Sequence, residues 1–234
     1  MRDFQSVRMS ALALVVLASG RAQPRADRLP SLDQIVDQYV SAIGGRAALS
    51  QLGPVQLTGR CESTAPDESG PIEILVKAPK VAYNLNRGSL RMGFNGESVW
   101  RITPTEGLQQ RQGRQMAELV SVFDPARVLS WKQWYPEMAF EGVQKLGDRE
   151  TYVLETHPGG AATERIFIDR QSGLLVRDEV APRVAFTFGD YREVNGVRAA
   201  FAVRQTTPNG ITYTYRFDAV QPIAVADESR FEPR

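Results

Sequence analysis

Residues 72–100 read IEILVKAPKVAYNLNRGSLRMGFNGESVW, and this stretch decides the fold. Ile72, Ile74 and Val76 occupy every second position of one run. Val81, Tyr83 and Leu85 do so in the next, and Leu90, Met92 and Phe94 in a third. That period places side chains on one side of an extended strand. Arg87-Gly88 and Asn95-Gly96 stand between runs, and such dipeptides tolerate the positive φ of a tight hairpin turn. The segment is a succession of antiparallel strands joined by hairpins, ending on Val99-Trp100.

The same cadence begins earlier, with Val55, Leu57, Gly59 and Cys61 on one face. It resumes at Phe140 and continues through Tyr152/Leu154, Ile166/Ile168, Leu174/Val176, Val184/Phe186/Phe188, Phe201/Val203 and Ile211/Tyr213/Tyr215/Phe217. Pro158-Gly159-Gly160, Ser172-Gly173, Asn195-Gly196 and Asn209-Gly210 supply turns between these runs. Counting the runs predicts about eleven strands across residues 55–224, near the limit at which an open twisted sheet curls. The fold class is mainly β, a curved antiparallel half-barrel. Thr212, Thr214 and Arg216 alternate with the apolar residues of the last run, which predicts that one face of the sheet is solvated.

The apolar face needs a cover. Ser31-x-x-Gln34 is a capping-box pattern that starts a helix at 31–43. Its Leu32, Ile35, Val36, Tyr39, Val40 and Ile43 form one apolar stripe, and Gly44-Gly45 ends it. A short second helix is expected over Arg46 to Leu52. Residues 104–114 are polar and turn-like. Met116, Leu119, Val120 and Phe123 then return to helical spacing, and Val128, Leu129, Trp131 and Trp134 follow Pro125. This block reads either as a packed crossover connection or as a lid over a cavity. On these faces a concave cavity would present Tyr83, Leu85, Met92, Phe94, Phe186 and Phe188. Met116, Leu119, Phe123 and Trp131 would approach it from the lid segment.

The chain has 234 residues, is 42% hydrophobic and carries a formal net charge of +1. No basic excess exists to neutralise phosphates, so nucleic acid is not an expected partner. Arg2 and Arg8 precede an apolar run, Met9 to Ala18, too short to span a bilayer, and Gly20-Arg21-Ala22 offers a small-residue cleavage site. Residues 1–22 are therefore read as a signal peptide, 23–30 as a linker and 31–234 as a single domain of a periplasmic protein. Cys61 is the only cysteine and His157 the only histidine, which excludes an intramolecular disulfide and a Cys/His metal cluster. Cys61 reads as a small buried hydrophobe and His157 as an exposed residue beside a turn. Glu137, Glu141, Asp148 and Glu150 read as a solvated face. No catalytic residue, metal site or cofactor is expected, and the chain is read as a non-enzyme.

Leu75-Val76-Lys77-Ala78-Pro79 leading into Val81-Ala82-Tyr83-Asn84-Leu85, then Asn95-Gly96-Glu97-Ser98-Val99-Trp100 and Thr103-Pro104, resembles the periplasmic lipoprotein-carrier (LolA/LolB-like) family. The hairpin from Ile166 to Val180, turning at Asp169-Arg170-Gln171-Ser172-Gly173, is similar to a later hairpin of that family, as is the ending Val225 to Phe231. The resemblance implies a half-barrel closed by helices, holding acyl chains of lipid or lipoprotein in an apolar cavity, with an envelope membrane protein as a further candidate partner. The family's carrier has an arginine immediately before the proline of its Val-Lys-x-Pro strand end. Ala78 stands there in this chain, so that lid-locking role does not carry over. The alternative is an envelope interaction module that uses the same fold as a scaffold for a partner protein. The signal-peptide reading predicts that exported protein begins within a few residues of Gln23 on N-terminal sequencing; an intact Met1 on periplasmic material would refute it.

Overall fold

The computed structural model describes residues 29–65, 68–111, 122–157, 163–180, 184–224 and 227–233. The signal-peptide reading of residues 1–22 lies outside them. Two helices, α1 (Leu32–Ala42) and α2 (Gly45–Gln51), precede strands β1 (Val55–Ser63), β2 (Gly70–Lys77), β3 (Lys80–Leu85), β4 (Leu90–Phe94), β5 (Val99–Thr103) and β6 (Gly107–Arg111). After a crossover come β7 (Ala139–Leu146), β8 (Arg149–Thr156), β9 (Glu164–Asp169), β10 (Leu175–Val180), β11 (Val184–Val194), β12 (Val197–Thr206) and β13 (Thr212–Pro222). The thirteen strands among the described residues form one antiparallel sheet, in the order β6-β5-β4-β3-β2-β1-β13-β12-β11-β10-β9-β8-β7. The sheet is thus two meanders joined where β1 pairs β13, and β6 and β7 are its open edges.

The count exceeds the expected eleven because the edges carry little signal. All four described side chains of β6, from Gly107 to Gln110, are exposed, and most of β7 is half-buried or exposed. An edge strand with no buried face has no alternation to read. Gly59 makes the central seam possible. The pairing with β13 shifts register between Thr58 and Gly59, and a Cβ on Gly59 would lie 2.1 Å from the Arg216 carbonyl oxygen. Such bulges bend a strand and deepen its twist, which is what curls a sheet of this width.

The inner face carries the core. Leu57, Ile74, Tyr83, Leu154, Ile168, Phe186, Val203 and Phe217 pack there with Ile35, Tyr39 and Ile43 of the α1 segment. The capping box forms: Ser31 Oγ accepts from the Gln34 amide at 3.3 Å, and Gln34 Oε1 accepts from the Ser31 amide at 2.8 Å. The far end of α1 docks on two hairpin turns. The Arg198 amide donates to the Ile43 carbonyl at 2.9 Å, and Gln38 Nε2 donates to the Arg170 carbonyl at 3.2 Å. Gly44, at φ +120°, approaches the Gly196 carbonyl so closely that a Cβ would sit 2.1 Å from it. Strict antiparallel alternation puts these turns, 170–174 and 195–196, at one end of the half-barrel. The connections at 64–69, 86–89, 104–106 and 207–211 gather at the other. α1 therefore closes one end and leaves the other as a mouth.

From Val122 onward the described part of the crossover lies on the inner face. Asp124 turns the chain by accepting from the Ala126 amide at 2.8 Å. A 3-10 turn, Arg127–Ser130, runs into a single α-helical turn, Trp131–Trp134. Trp131 is buried and stacks on Tyr39, with ring centres 5.4 Å apart. Arg127 Nη2 donates to Asp178 Oδ2 at 2.5 Å, and both side chains are only 4% exposed. This segment is a packed crossover, locked to β10 by a buried ion pair.

The outer face is not uniformly solvated, as alternation in the last run predicts. Two clusters are buried there. One joins Leu75, Ala82, Trp100 and Phe231, with the Trp100 indole N–H donating to the Phe231 carbonyl at 2.6 Å. The other joins Val153, Phe167 and Val176. Val176 reaches that face because β10 carries a bulge between Leu175 and Arg177, so Leu175, rather than Val176, joins the inner core. Among the described residues no helix is long and apolar enough to cross a membrane.

Two stability outcomes follow. Trp100→Ala should cost about 3–5 kcal/mol in denaturant unfolding, through lost burial and an unpaired Phe231 carbonyl. Asp178→Ala, which strands the Arg127 charge, should cost about 3–5 kcal/mol, whereas Arg127→Met with Asp178→Leu should cost clearly less. A double variant no more stable than either single one would show that the pair is not what holds the crossover.

Candidate functional site

The mouth of the half-barrel leads into a cavity of about 180 Å³. Its walls come from strands of both meanders. Ile72 (β2), Tyr83 and Leu85 (β3), and Leu90 and Met92 (β4) form one side, with Phe186 (β11) and Tyr215 (β13) opposite. Their convergence requires curvature, since β4 and β11 are separated by five other strands in the sheet order.

Phe123, from the crossover, ends the cavity. Its ring makes edge contacts with Tyr83, Phe186, Tyr215 and Phe217, at centre distances of 5.5, 6.3, 5.0 and 5.8 Å. Edge-to-face packing of this kind is worth about 0.5–1.5 kcal/mol per pair beyond burial. Beyond the ring lies a second compartment of about 40 Å³, lined by Tyr39, Leu57, Val122, Asp124, Arg127, Phe188 and Tyr191 among others. Phe123 belongs to both linings and separates them.

Polar groups are confined to the mouth and the lower compartment. At the mouth, the Tyr213 hydroxyl donates to the Glu68 carboxylate, the Tyr215 hydroxyl donates to Gln205 Oε1 at 2.9 Å, and Arg101 and Thr207 complete the rim. The Arg101 guanidinium also pairs with Glu106 across the β5–β6 hairpin. Burial pushes the Tyr83 and Tyr215 hydroxyls well above the ordinary phenol range, and burial together with the Glu68 hydrogen bond raises Tyr213. These phenols stay neutral and act as hydrogen-bonding groups. In the lower compartment burial raises the Asp124 carboxyl, and Asp178 keeps Arg127 charged against the desolvation that opposes it.

Five of the ten residues expected at the cavity line it: Tyr83, Leu85, Met92, Phe123 and Phe186. Phe188 lines the lower compartment instead. Phe94 sits half-buried against the main core, paired with Val81 and Val99, and Trp131 is sequestered against Tyr39; neither lines the cavity. Met116 and Leu119 fall outside the described residues. Sequence reading missed the rim. Its trace was present: Arg101 shares the inward face of Val99, and Gln205 that of Phe201 and Val203, so each is a polar residue where alternation calls for an apolar one.

Elsewhere chemistry is sparse. Cys61 is buried, and burial pushes its thiol up to about 12, which keeps it from acting as a nucleophile. His157 is exposed, with its Nε2 3.2 Å from the Thr163 hydroxyl. Glu137, Glu141, Asp148 and Glu150 are all exposed.

Compared by sequence, the chain matches no family model and no curated protein. Compared by structure, it is similar to a putative outer membrane lipoprotein-sorting protein domain from Vibrio parahaemolyticus, with a TM-score of 0.57 at 14% identity, covering 85% of this chain and 94% of that one. It is similar to a LolA superfamily protein from Nitrosomonas europaea, with a TM-score of 0.57 at 9% identity, covering 87% and 98%. A DUF1329 family protein from Desulfovibrio piger gives a TM-score of 0.57 at 10% identity, covering 87% and 98%. Identities this low speak to architecture alone, and on that evidence the chain shares the overall fold of these solved structures.

Proposed function

We propose that this chain is an exported, non-enzymatic carrier that shelters an acyl chain of lipid or lipoprotein within the bacterial cell envelope. The observation that carries this reading is the cavity at the mouth: apolar walls from both halves of a curved sheet, polar groups only at the rim, and an aromatic floor on a segment that crosses the sheet. An alkyl chain gains about 0.8 kcal/mol per methylene on leaving water, and a continuous apolar lining supplies that gain. The shared fold with a lipoprotein-sorting domain supports the same reading. Residues 1–22 would deliver the chain to the periplasm, and neither a cofactor nor a metal is needed for binding of this kind.

The cavity is smaller than the ~300–1,000 Å³ usual for small-molecule sites, which suits one slender alkyl segment rather than a bulky ligand. The buried Arg127–Asp178 pair fastens to β10 the crossover that carries the Phe123 floor. In the related carriers an arginine sits before the strand-end proline; here Ala78 is exposed and the buried arginine belongs to the crossover itself.

The test is binding of the uncharged fluorescent probe N-phenyl-1-naphthylamine to folded protein, followed by displacement with lipid. Wild type should bind, and Met92→Asp or Phe186→Asp should abolish binding by placing an unpaired carboxylate among apolar walls. Met92 is only partly buried, so its variant should fold even where Phe186→Asp does not. Failure of wild type to bind the probe would overturn the carrier and favour the scaffold for a partner protein.

A further inference from the structure

Taking the cavity as an acyl-chain site, we infer that its ligand is a single-chain amphiphile whose head carries an acidic group and hydrogen-bond donors, as in a monoacyl phospholipid. The head sits at Arg101 and Glu68, and the chain ends at Phe123.

Size excludes larger anchors from this compartment. A space of about 180 Å³ bounded by the Phe123 ring accommodates one alkyl segment; the three chains of a triacylated lipoprotein anchor need several times as much. The floor is firm, because Phe123 is buried and in contact with four other aromatic rings. Chain length beyond the cavity therefore meets an aromatic wall, with the 40 Å³ compartment behind it.

The rim supplies the head-group chemistry. Arg101 is the cation in the lining, and its side chain projects from the inner face of β5 on the same side as Met92. Its partner Glu106 is about half-exposed on the β5–β6 hairpin, and an exposed pair of this sort contributes little. A phosphate or carboxylate can take its place through the same guanidinium fork. Glu68 and Gln205 line the same mouth and accept hydrogen bonds, so they match donors on the head, an ammonium or a hydroxyl. A carboxylate, Glu68, in the same rim as the cation disfavours a head that is only anionic. The combination selects a phosphate ester bearing an amine or hydroxyl over a bare fatty acid.

Competition against N-phenyl-1-naphthylamine on the full mature chain tests this, because the uncharged probe reads the apolar cavity without needing Arg101. Monoacyl phosphatidylethanolamine should displace it best, a fatty acid of equal chain length less well, and a triacylated lipopeptide not at all. Arg101→Gln should weaken the monoacyl phospholipid about tenfold more than it weakens the probe. Phe123→Leu should extend the preferred chain length. Equal displacement by all three lipids, or an Arg101→Gln variant with unaltered phospholipid affinity, would overturn the inference while probe binding left the carrier reading standing. Loss of probe binding in wild type would remove both. Arg101 lies partly in solvent, and Arg101→Lys, which keeps the charge but loses the fork, gives an intermediate affinity if the geometry is as described.

Discussion

One connection governs this structure. The first meander ends at β6, on one edge of a thirteen-stranded sheet, and the second begins at β7, on the opposite edge. The chain must travel the full width of the sheet in between, and the apolar inner face is where that passage gains most from burial. The described part of the route shows the result: Phe123, Val128 and Trp131 are buried against strands of both halves, and the charged Arg127 is brought along because Asp178 waits for it on β10. A buried ion pair contributes little net stability, but breaking it is costly, and that asymmetry fixes where the crossover lies. The cavity at the mouth is the portion of the inner face that neither α1 nor this passage fills.

Much of this was legible in the chain alone. Alternation around Ile72–Phe94 and the Asn-Gly turns were enough for hairpins. Ser31 and Gln34 marked the helix start, and Gly44-Gly45 its end, within one residue of the observed α1. The resemblance carried by residues 71–104 pointed to an architecture that the solved structures share. What escaped had a physical cause in each case. β6 has no buried side of its own, so no pattern betrays it. Val176 faces outward because of a bulge, and a bulge leaves period-two counting one residue out of step. Trp100 is buried on the outer face, where the turn Glu228–Phe231, which has no periodic signal, folds back to cover it.

The candidate site shows the same division. Faces of single strands identified Tyr83, Leu85, Met92 and Phe186, because each lies on the apolar side of a well-marked run. Which of those faces meet depends on curvature and on how far along each strand a residue lies. Phe94 and Phe188 share the inner side with the lining but lie elsewhere along it, Phe94 toward the turn at 95–98 and Phe188 in the lower compartment. The polar rim is legible only after the fact, as the places where Arg101 and Gln205 break an inward-facing series near strand ends. A polar residue in such a position is ambiguous in sequence, since fraying strand ends carry polar residues for ordinary reasons.

The seam between β1 and β13 has a kinetic side. Val55 pairs with Pro222, and Ser63 with Tyr213, so β1 hydrogen-bonds to a strand about 150 or more residues away in the sequence. Each meander can assemble from local hairpins, but joining them closes a loop that spans nearly the whole folded chain, and loop-closure entropy slows such steps. Until then β1 has an unpaired edge and the inner face has only α1 to shield it. A chain in that state exposes both a sheet edge and an apolar sheet face, the two features that invite aggregation. The same Gly59 that lets β13 approach β1 therefore stands at the pairing of greatest sequence separation in the sheet, and the inner face is enclosed only once that pairing forms.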